Sequence, residues 1–177
     1  MSEQPVLWNM DERGVGWVTL NRPQRGNAYN GELIQGLHDA MDSLSGQRGL
    51  RAVVIKGNGN HFQAGADLDW LNEVRRQSPR ANLDASRATA MAVDRLNRLP
   101  IATIALIHGF CVGGGTGVAS ACDVVIASDD AKFAISEARW GVTAAIIVPH
   151  LVDAIGARQV RRYALTCERF DARTAQA

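Results

Sequence analysis

The chain has 177 residues, of which 46% are hydrophobic and 21% are charged, and its formal net charge at pH 7 is +1. This balance is typical of a globular protein with one core, and its basic side chains are spread without a dense block, which argues against a general nucleic-acid surface. The longest apolar run, 142–152, is broken by Pro149 and His150 and is far shorter than the ~20 residues of a membrane span.

The predicted elements of the N-terminal half alternate between strands and helices. Residues 15–21 predict a strand that ends before Pro23, and Gly31–Ser45 predicts an amphipathic helix with Asn30 as its N-cap. Residues 51–57 predict the next strand. The apolar residues that recur at helical spacing in 31–45 are Leu33, Ile34, Leu37, Met41 and Leu44.

A second helix is predicted from Pro79 to about Leu99, with Pro100 ending it and with Met91, Ala92 and Leu96 among its inward residues, together with Leu99. Residues 102–107 predict a buried strand, followed by a glycine loop and a short helix to about residue 121. A strand at 123–127 and a short segment at 132–135 come next, and helices follow to the end. This order predicts an α/β fold in a single domain over 1–177.

The final residues predict the first turns of another helix. Asp171 is a suitable N-cap for residues 172–177, but one and a half turns are too few for a stable helix. We therefore expect the domain to be incomplete at its C-terminus. Three cysteines without C-x-x-C spacing and an N-terminus without signal-peptide features lead us to expect a cytoplasmic protein.

Two turns rich in small residues follow predicted strands, at Ala64-Gly65-Ala66 and at Gly113-Gly114-Gly115. Small side chains allow backbone N–H groups to approach a ligand, so a pair of such turns could hold one oxygen atom. Tight connections without a ligand are the alternative. The glycine spacing from 113 to 117 fails both the G-x-G-x-x-G and the phosphate-loop patterns, which argues against a nucleotide site.

Glu137 is the candidate acid/base, because Phe133, Ile135 and Trp140 surround it in the sequence and burial would raise its pKa. Its alternative roles are a helix-terminal charge or an ion pair with Arg139.

Other polar groups give weaker signals. His61 with Asp67 and Asp69 lacks diagnostic metal-ligand spacing, so we expect no metal site. His108 and Cys111 could form a base and nucleophile, but a packed cysteine is the simpler interpretation.

Several motifs together resemble the crotonase (enoyl-CoA hydratase/isomerase) superfamily in order and spacing. They are Asn21-Arg-Pro with Asn27-Ala28, residues 61–68, His108-Gly with the glycine triplet, Cys122-Asp123, Phe133 with Glu137, and residues 165–170. The resemblance covers nearly the whole chain. It implies a spiral of ββα units, an acyl-CoA thioester as substrate, no further cofactor, a C-terminal helical region beyond this chain, and homotrimers or hexamers.

The resemblance also implies roles for particular residues. The backbone N–H groups of Ala66 and Gly114 match the oxyanion hole of the family, and Glu137 matches a catalytic carboxylate. Positions that match the CoA and acyl subsites are Gln24, Arg25, Asn27, Ala28, Ala64, Gly65, Asp67, Leu68, Phe110, Gly113, Gly117, Ser136, Trp140 and Gly141.

One departure from the family pattern bears on the chemistry. Typical hydratases of the family carry a second glutamate where this chain has Gly117, so Glu137 stands alone. The segment 141–149 is similar to the branch that hydrates methylglutaconyl-type or terpenoid-derived enoyl-CoA esters, and Ile146, Ile147 and Trp140 could shape its acyl pocket. Three functions stay open: an enoyl-CoA hydratase, an enoyl-CoA isomerase, and a non-catalytic acyl-CoA-binding protein.

Overall fold

The structure, a computed structural model, describes residues 4–177, which form a five-stranded sheet, a three-stranded sheet and six helices. The strands are β1 (Val6–Met10), β2 (Val15–Leu20), β3 (Ala52–Gly57), β4 (Ala102–Ile107), β5 (Phe110–Val112), β6 (Val124–Ala127), β7 (Lys132–Ala134) and β8 (Phe170–Asp171). The helices are α1 (Gly31–Ser45), α2 (Leu68–Arg75), α3 (Pro79–Asn97), α4 (Gly114–Ser120), α5 (Val148–Thr166) and α6 (Ala172–Gln176). Two 3-10 turns cover Pro23–Arg25 and Glu137–Trp140.

The large sheet has the order β1-β2-β3-β4-β6, with β1 antiparallel to β2 and the other neighbours parallel. Parallel neighbours need crossover connections, which α1 supplies between β2 and β3, and α2 and α3 between β3 and β4. The small sheet has the order β5-β7-β8. The α/β class predicted from the sequence is therefore confirmed.

The predicted helix starts are confirmed by their caps. The side chain of Asn30 accepts a hydrogen bond from Leu33 N at 3.0 Å, and Ser78 Oγ accepts one from Ala81 N at 3.2 Å. Asp171 likewise caps the last helix by accepting from Thr174 N at 2.9 Å. All five apolar residues predicted to face inward from α1 are buried.

The core has two parts. The larger one lies between the main sheet and helices α1 and α3, and the smaller one surrounds the start of α5, with Ile135, Ile147 and Leu151 at its centre. The ring of Phe170 packs against both parts.

Some expectations are corrected. Met91 is 56% exposed, because the buried stripe of α3 runs through Thr89, Ala92, Val93 and Leu96. Strand β5 replaces part of the predicted glycine loop, and β8 interrupts the predicted helical C-terminus, since both form by pairing with β7. Glu137 begins a four-residue 3-10 turn rather than a longer helix. The expectation about the N-terminus partly concerns residues 1–3, which lie outside the described residues.

Within residues 4–177, no helix has both the length and the apolar character that a bilayer span needs.

Candidate active site

The first small-residue turn connects β3 to α2 and is held by backbone hydrogen bonds on both sides. Gly65 O accepts from Tyr29 N at 2.8 Å, and Asp67 N donates to Tyr29 O at 2.9 Å. Gly65 has a φ of +92°, a conformation that favours glycine. Between these bonded residues, the N–H of Ala66 has no acceptor among residues 4–177. The turn therefore offers one free backbone donor.

Asp67 fixes the end of this turn. Its carboxylate accepts from Asp69 N at 3.1 Å, which caps α2, and pairs with Arg22 Nη2 at 2.9 Å. Burial alone would raise the pKa of Asp67, but the hydrogen bond and charge of Arg22 bring it below its ordinary value. Arg22 thus holds the turn in place through its ion pair with Asp67.

The second turn connects β5 to α4. Gly113, with a φ of +53°, donates its N–H to Ala134 O at 2.9 Å, and its carbonyl accepts from Thr116 Oγ1 at 2.6 Å. The N–H of Gly114 has no acceptor within the described part of the chain. A Cβ on Gly114 would lie 2.4 Å from Cε1 of Tyr29, so only glycine fits against that ring.

The two turns and Glu137 meet at one place. A Cβ built on Gly113 would lie 3.5 Å from the Cα of Gly65 and 3.2 Å from Oε1 of Glu137. Gly65 lies 48 positions before Gly113 and Glu137 lies 24 positions after it, and both approach this glycine because it has no side chain. The site combines two free backbone donors with one carboxylate.

Glu137 is partly buried, and no cationic side chain among residues 4–177 forms an ion pair with it. Its Oε2 atom is buried without a hydrogen-bond partner among residues 4–177. The ion pair with Arg139 that the sequence left open is not formed, because Arg139 Nη2 donates to Cys167 O at 2.7 Å and anchors the turn to the end of α5. Burial raises the pKa of Glu137 above its ordinary value of 4.5, opposed only in part by backbone hydrogen bonds from Glu137 and Ser136. A carboxyl group with a raised pKa returns a proton as an acid more readily than a solvated carboxyl group does.

These groups lie in a cleft of about 1080 Å³, walled by the two turns, helices α2 and α3, and residues 136–147. The predicted site residues that line the cleft are Arg25, Ala28, Ala64, Gly65, Ala66, Asp67, Leu68, Gly113, Gly114, Ser136, Glu137, Trp140 and Gly141.

Four predicted residues do not line the cleft. Asn27 is fully buried and serves the fold: its side chain accepts from Arg22 N and donates to the carbonyl oxygens of Asn58 and His61, each at 2.8 Å. Gln24 is exposed on the 3-10 turn outside the cleft.

The other two are Phe110 and Gly117. The ring of Phe110 stacks on His61, with a centroid distance of 4.5 Å, and lies under the guanidinium of Arg169. Gly117 packs against Ile147 inside the protein. Neither residue lines the cleft.

Cys111 is confirmed as a packed residue. Its side chain is fully buried, which raises the pKa of the thiol far above its ordinary value, and Nε2 of His108 contacts Gly59 O at 2.8 Å. A thiolate nucleophile is therefore disfavoured at this position.

Sequence reasoning missed Tyr29 and the α2–α3 wall. Tyr29 lines the cleft and packs edge-on against Trp70, and burial together with the charge of Glu137 raises the pKa of its phenol to about 12. Trp70, Asn82 and Thr89 line the same cleft. The position of Tyr29 directly after Asn27-Ala28 was an available signal, whereas α2 and α3 carry polar and apolar residues without a recognisable site pattern.

Two backbone donors facing a cleft beside an unpaired carboxyl define a site suited to a carbonyl oxygen that gains charge while a proton moves nearby. Comparison with known proteins agrees with this class. The profile of the family described as "Enoyl-CoA hydratase/isomerase" matches residues 10–177, and the chain belongs to that family.

Individual relatives include both reaction types. The chain is 32% identical to the hydroxycinnamoyl-CoA hydratase-lyase of Pseudomonas fluorescens, over 90% of this chain and 59% of that protein. It is 29% identical to the mitochondrial Delta(3,5)-Delta(2,4)-dienoyl-CoA isomerase of Dictyostelium discoideum, over 94% and 60%. The crystal structure of an enoyl-CoA hydratase from Shewanella pealeana superimposes with a TM-score of 0.93 at 32% identity, over 97% of this chain and 64% of that one.

The crotonase-type fold implied by the sequence is thereby confirmed. The chain spans about three fifths to two thirds of the length of these proteins.

Proposed function

We propose that this protein binds an α,β-unsaturated acyl-CoA thioester and adds water to it through an enolate. The observation that carries the proposal is the convergence of the free N–H groups of Ala66 and Gly114 with the carboxyl group of Glu137 in one cleft. Family membership and the hydratase names among the relatives support the same reaction.

The two backbone donors are proposed to hold the thioester oxygen. Negative charge develops on this oxygen as the double bond is attacked, so donors fixed at that place stabilise the transition state more than the substrate. Loss of one such donor costs roughly 3–4 kcal/mol in comparable sites. Gly65 and Gly113 lack side chains that would block the oxygen from reaching the donors.

Glu137 is proposed to serve both proton transfers. As the carboxylate, it removes a proton from water while the hydroxyl adds to the β-carbon and the thioester becomes an enolate. As the carboxylic acid, it then returns a proton to the α-carbon, which restores the carboxylate and completes the addition of one water molecule. Its raised pKa suits this exchange, because acid and base forms are then closer in free energy at neutral pH.

The remaining lining residues suggest where each part of the substrate lies. Arg25, 55% exposed and paired with Asp69 at 3.1 Å, marks the open end and suits the charged CoA portion. Trp140, Ile146 and Ile147 form an apolar wall suited to a branched acyl group. We expect no cofactor besides the thioester itself.

An isomerase is the second candidate, and one observation favours it. The carboxylates that line the cleft within residues 4–177 are Asp67, Asp69 and Glu137, and both aspartates are paired with arginines. A single free carboxylate can move a proton between two carbons without water, which is sufficient for a double-bond shift.

Mass spectrometry of unsaturated acyl-CoA esters incubated in heavy water tests these functions. We expect a product heavier by one heavy-water molecule with the unaltered chain and none with Glu137→Gln. The matched control Glu12→Gln, which removes an exposed carboxylate that does not line the cleft, should keep full turnover. A shifted double bond without added water would establish the isomerase instead. Binding of the esters without any conversion would indicate the non-catalytic acyl-CoA-binding protein.

We also propose that copies of the chain associate as trimers or hexamers and act in the cytoplasm, as the family resemblance implies. Edge strand β6 supports association, because Val124, Val125 and Ile126 are 47%, 45% and 56% exposed. Light scattering at several protein concentrations measures the assembly directly.

A further inference from the structure

A small cavity of about 20 Å³ adjoins the cleft. Four residues line both spaces, namely Tyr29, Thr89, Gly114 and Ile147. The side chains among them form the partition between the cleft and the inner cavity. The inner cavity has room for about one water molecule, so no acyl chain enters it while the partition stands.

Ile147 is the apolar part of this partition and is held firmly. It is 1% exposed, its N–H donates to Ala144 O at 2.9 Å, and its carbonyl accepts from Leu151 N at 3.0 Å. The backbone of Ile147 is thus fixed by hydrogen bonds, and packing in the smaller core leaves its side chain little room to move when a ligand enters.

The side chain of Ile147 also occupies the space beside Gly117 on α4. A Cβ built on Gly117 would lie 2.2 Å from Cγ2 and 2.7 Å from Cβ of Ile147, whereas ordinary carbon contacts are about 3.5–4.0 Å. No side chain can stand at position 117 while Ile147 remains. The side chain of Ile147 thus fills the space that a glutamate at position 117 would need.

We propose that Ile147 is the specificity-determining residue of the acyl end of the cleft, and that Gly117 is glycine in order to admit it. The inference rests on the proposed function in taking an acyl-CoA as the ligand. Ile147 ends the acyl pocket at the partition, so the preferred substrate carries a compact acyl group. The same side chain excludes a second carboxylate from α4 and leaves the proton transfers to Glu137.

The packing half of the proposal is tested without any ligand. A double-mutant cycle compares the chemical denaturation of the unaltered chain, Gly117→Ala, Ile147→Gly and the double variant. Glycine is needed at 147, because the Cβ of an alanine would still lie 2.7 Å from the added methyl group. We expect Gly117→Ala to lower the denaturation midpoint strongly and the shift to fall by at least half in the Ile147→Gly background.

The specificity half is tested by the binding of saturated acyl-CoA esters of increasing chain length, which cannot be hydrated. In Ile147→Gly the two spaces join and four side-chain carbons are removed, so each added methylene that enters should strengthen binding about fourfold. Two added methylenes should therefore shift the preference for long over short chains at least tenfold. The matched control is Ile155→Gly, which removes the same four side-chain carbons from a partly buried residue that lines neither space.

The outcomes separate this proposal from the proposed function. An unchanged chain-length preference in Ile147→Gly, a shift that Ile155→Gly reproduces, or a harmless Gly117→Ala would each overturn the proposal. Saturated esters need only bind, so a chain without hydratase or isomerase activity would still give a result in this assay. Failure to bind any acyl-CoA would overturn both this proposal and the proposed function. If Ile147→Gly does not fold, Ile147→Ala removes three of the four carbons and serves for the binding series.

Discussion

Replacing Asn27 by alanine tests whether this residue serves the fold, as the structure indicates, or the ligand, as the sequence suggested. The side chain is 0% exposed and makes three hydrogen bonds of 2.8 Å, to Arg22 N, Asn58 O and His61 O. Its φ is +56°, in the left-handed region that asparagine adopts more readily than alanine. Alanine would lose all three bonds and retain the unfavourable backbone.

The expected cost follows from these contacts. Each lost hydrogen bond costs about 1 kcal/mol when its partner stays buried, and the left-handed conformation adds about 1 kcal/mol for alanine. We therefore expect Asn27→Ala to lower the free energy of unfolding by about 4 kcal/mol. Such a loss is a large share of the ~5–15 kcal/mol that stabilises a typical domain.

The assay is urea denaturation followed by circular dichroism, with Gln24→Ala as the control. Gln24 is exposed on the same loop and outside the cleft, so its replacement should change the free energy of unfolding by less than about 0.5 kcal/mol. An Asn27→Ala variant as stable as the Gln24→Ala variant, but unable to bind acyl-CoA, would refute the structural role and restore the ligand role.

Three further predictions concern charged and phenolic groups. Arg22→Met should destabilise the protein by about 3 kcal/mol at pH 7 in urea denaturation, because it leaves the carboxylate of Asp67, 8% exposed, without its cation. The folded pKa of Asp67 lies below its ordinary value of 3.8, so the ion pair stabilises the protein above that pH and ceases to do so as the pH falls through the folded pKa. The free energy of unfolding should therefore fall below about pH 4, and it should fall less steeply in Arg22→Met. The raised pKa of Glu137 predicts that kcat/KM falls on the acid side at a pH above 4.5, and an acid limb at or below 4.5 would contradict its burial. Ultraviolet titration of a Tyr163→Phe variant should show that the Tyr29 phenol ionises only near pH 12 while the protein stays folded, and ionisation near 10 would contradict its enclosure.

Local signals in the sequence determined the helix starts and the position of the site along the chain. Asn30, Ser78 and Asp171 act as N-caps through bonds to residues three positions away, so neighbouring residues suffice to predict them. The turns at 64–66 and 113–115 were likewise recognised from their small residues, because close approach of a backbone requires small side chains wherever the turn lies.

Contacts between distant segments decided the rest. The sequence left Glu137 open between a surface ion pair and a buried acid, and the bond from Arg139 to Cys167 O removed the first alternative. From the sequence, Asn27 could bind a ligand or anchor a buried loop. Its hydrogen bonds to the carbonyl oxygens of Asn58 and His61 favour the second role.

The composition and the order of motifs therefore determined the fold class, the family, the candidate carboxyl group and the candidate backbone donors. Each of these depends on local patterns that can be read directly from the sequence. Only the tertiary structure decided that Gly117 faces Ile147, that Tyr29 stands between the cleft and an inner cavity, and that Oε2 of Glu137 is buried without a hydrogen-bond partner among residues 4–177. The physical reason is that steric exclusion and desolvation depend on which atoms lie within a few ångströms. Those atoms come from distant residues, such as Gly117 and Ile147, 30 positions apart, or Tyr29 and Ile147, 118 positions apart.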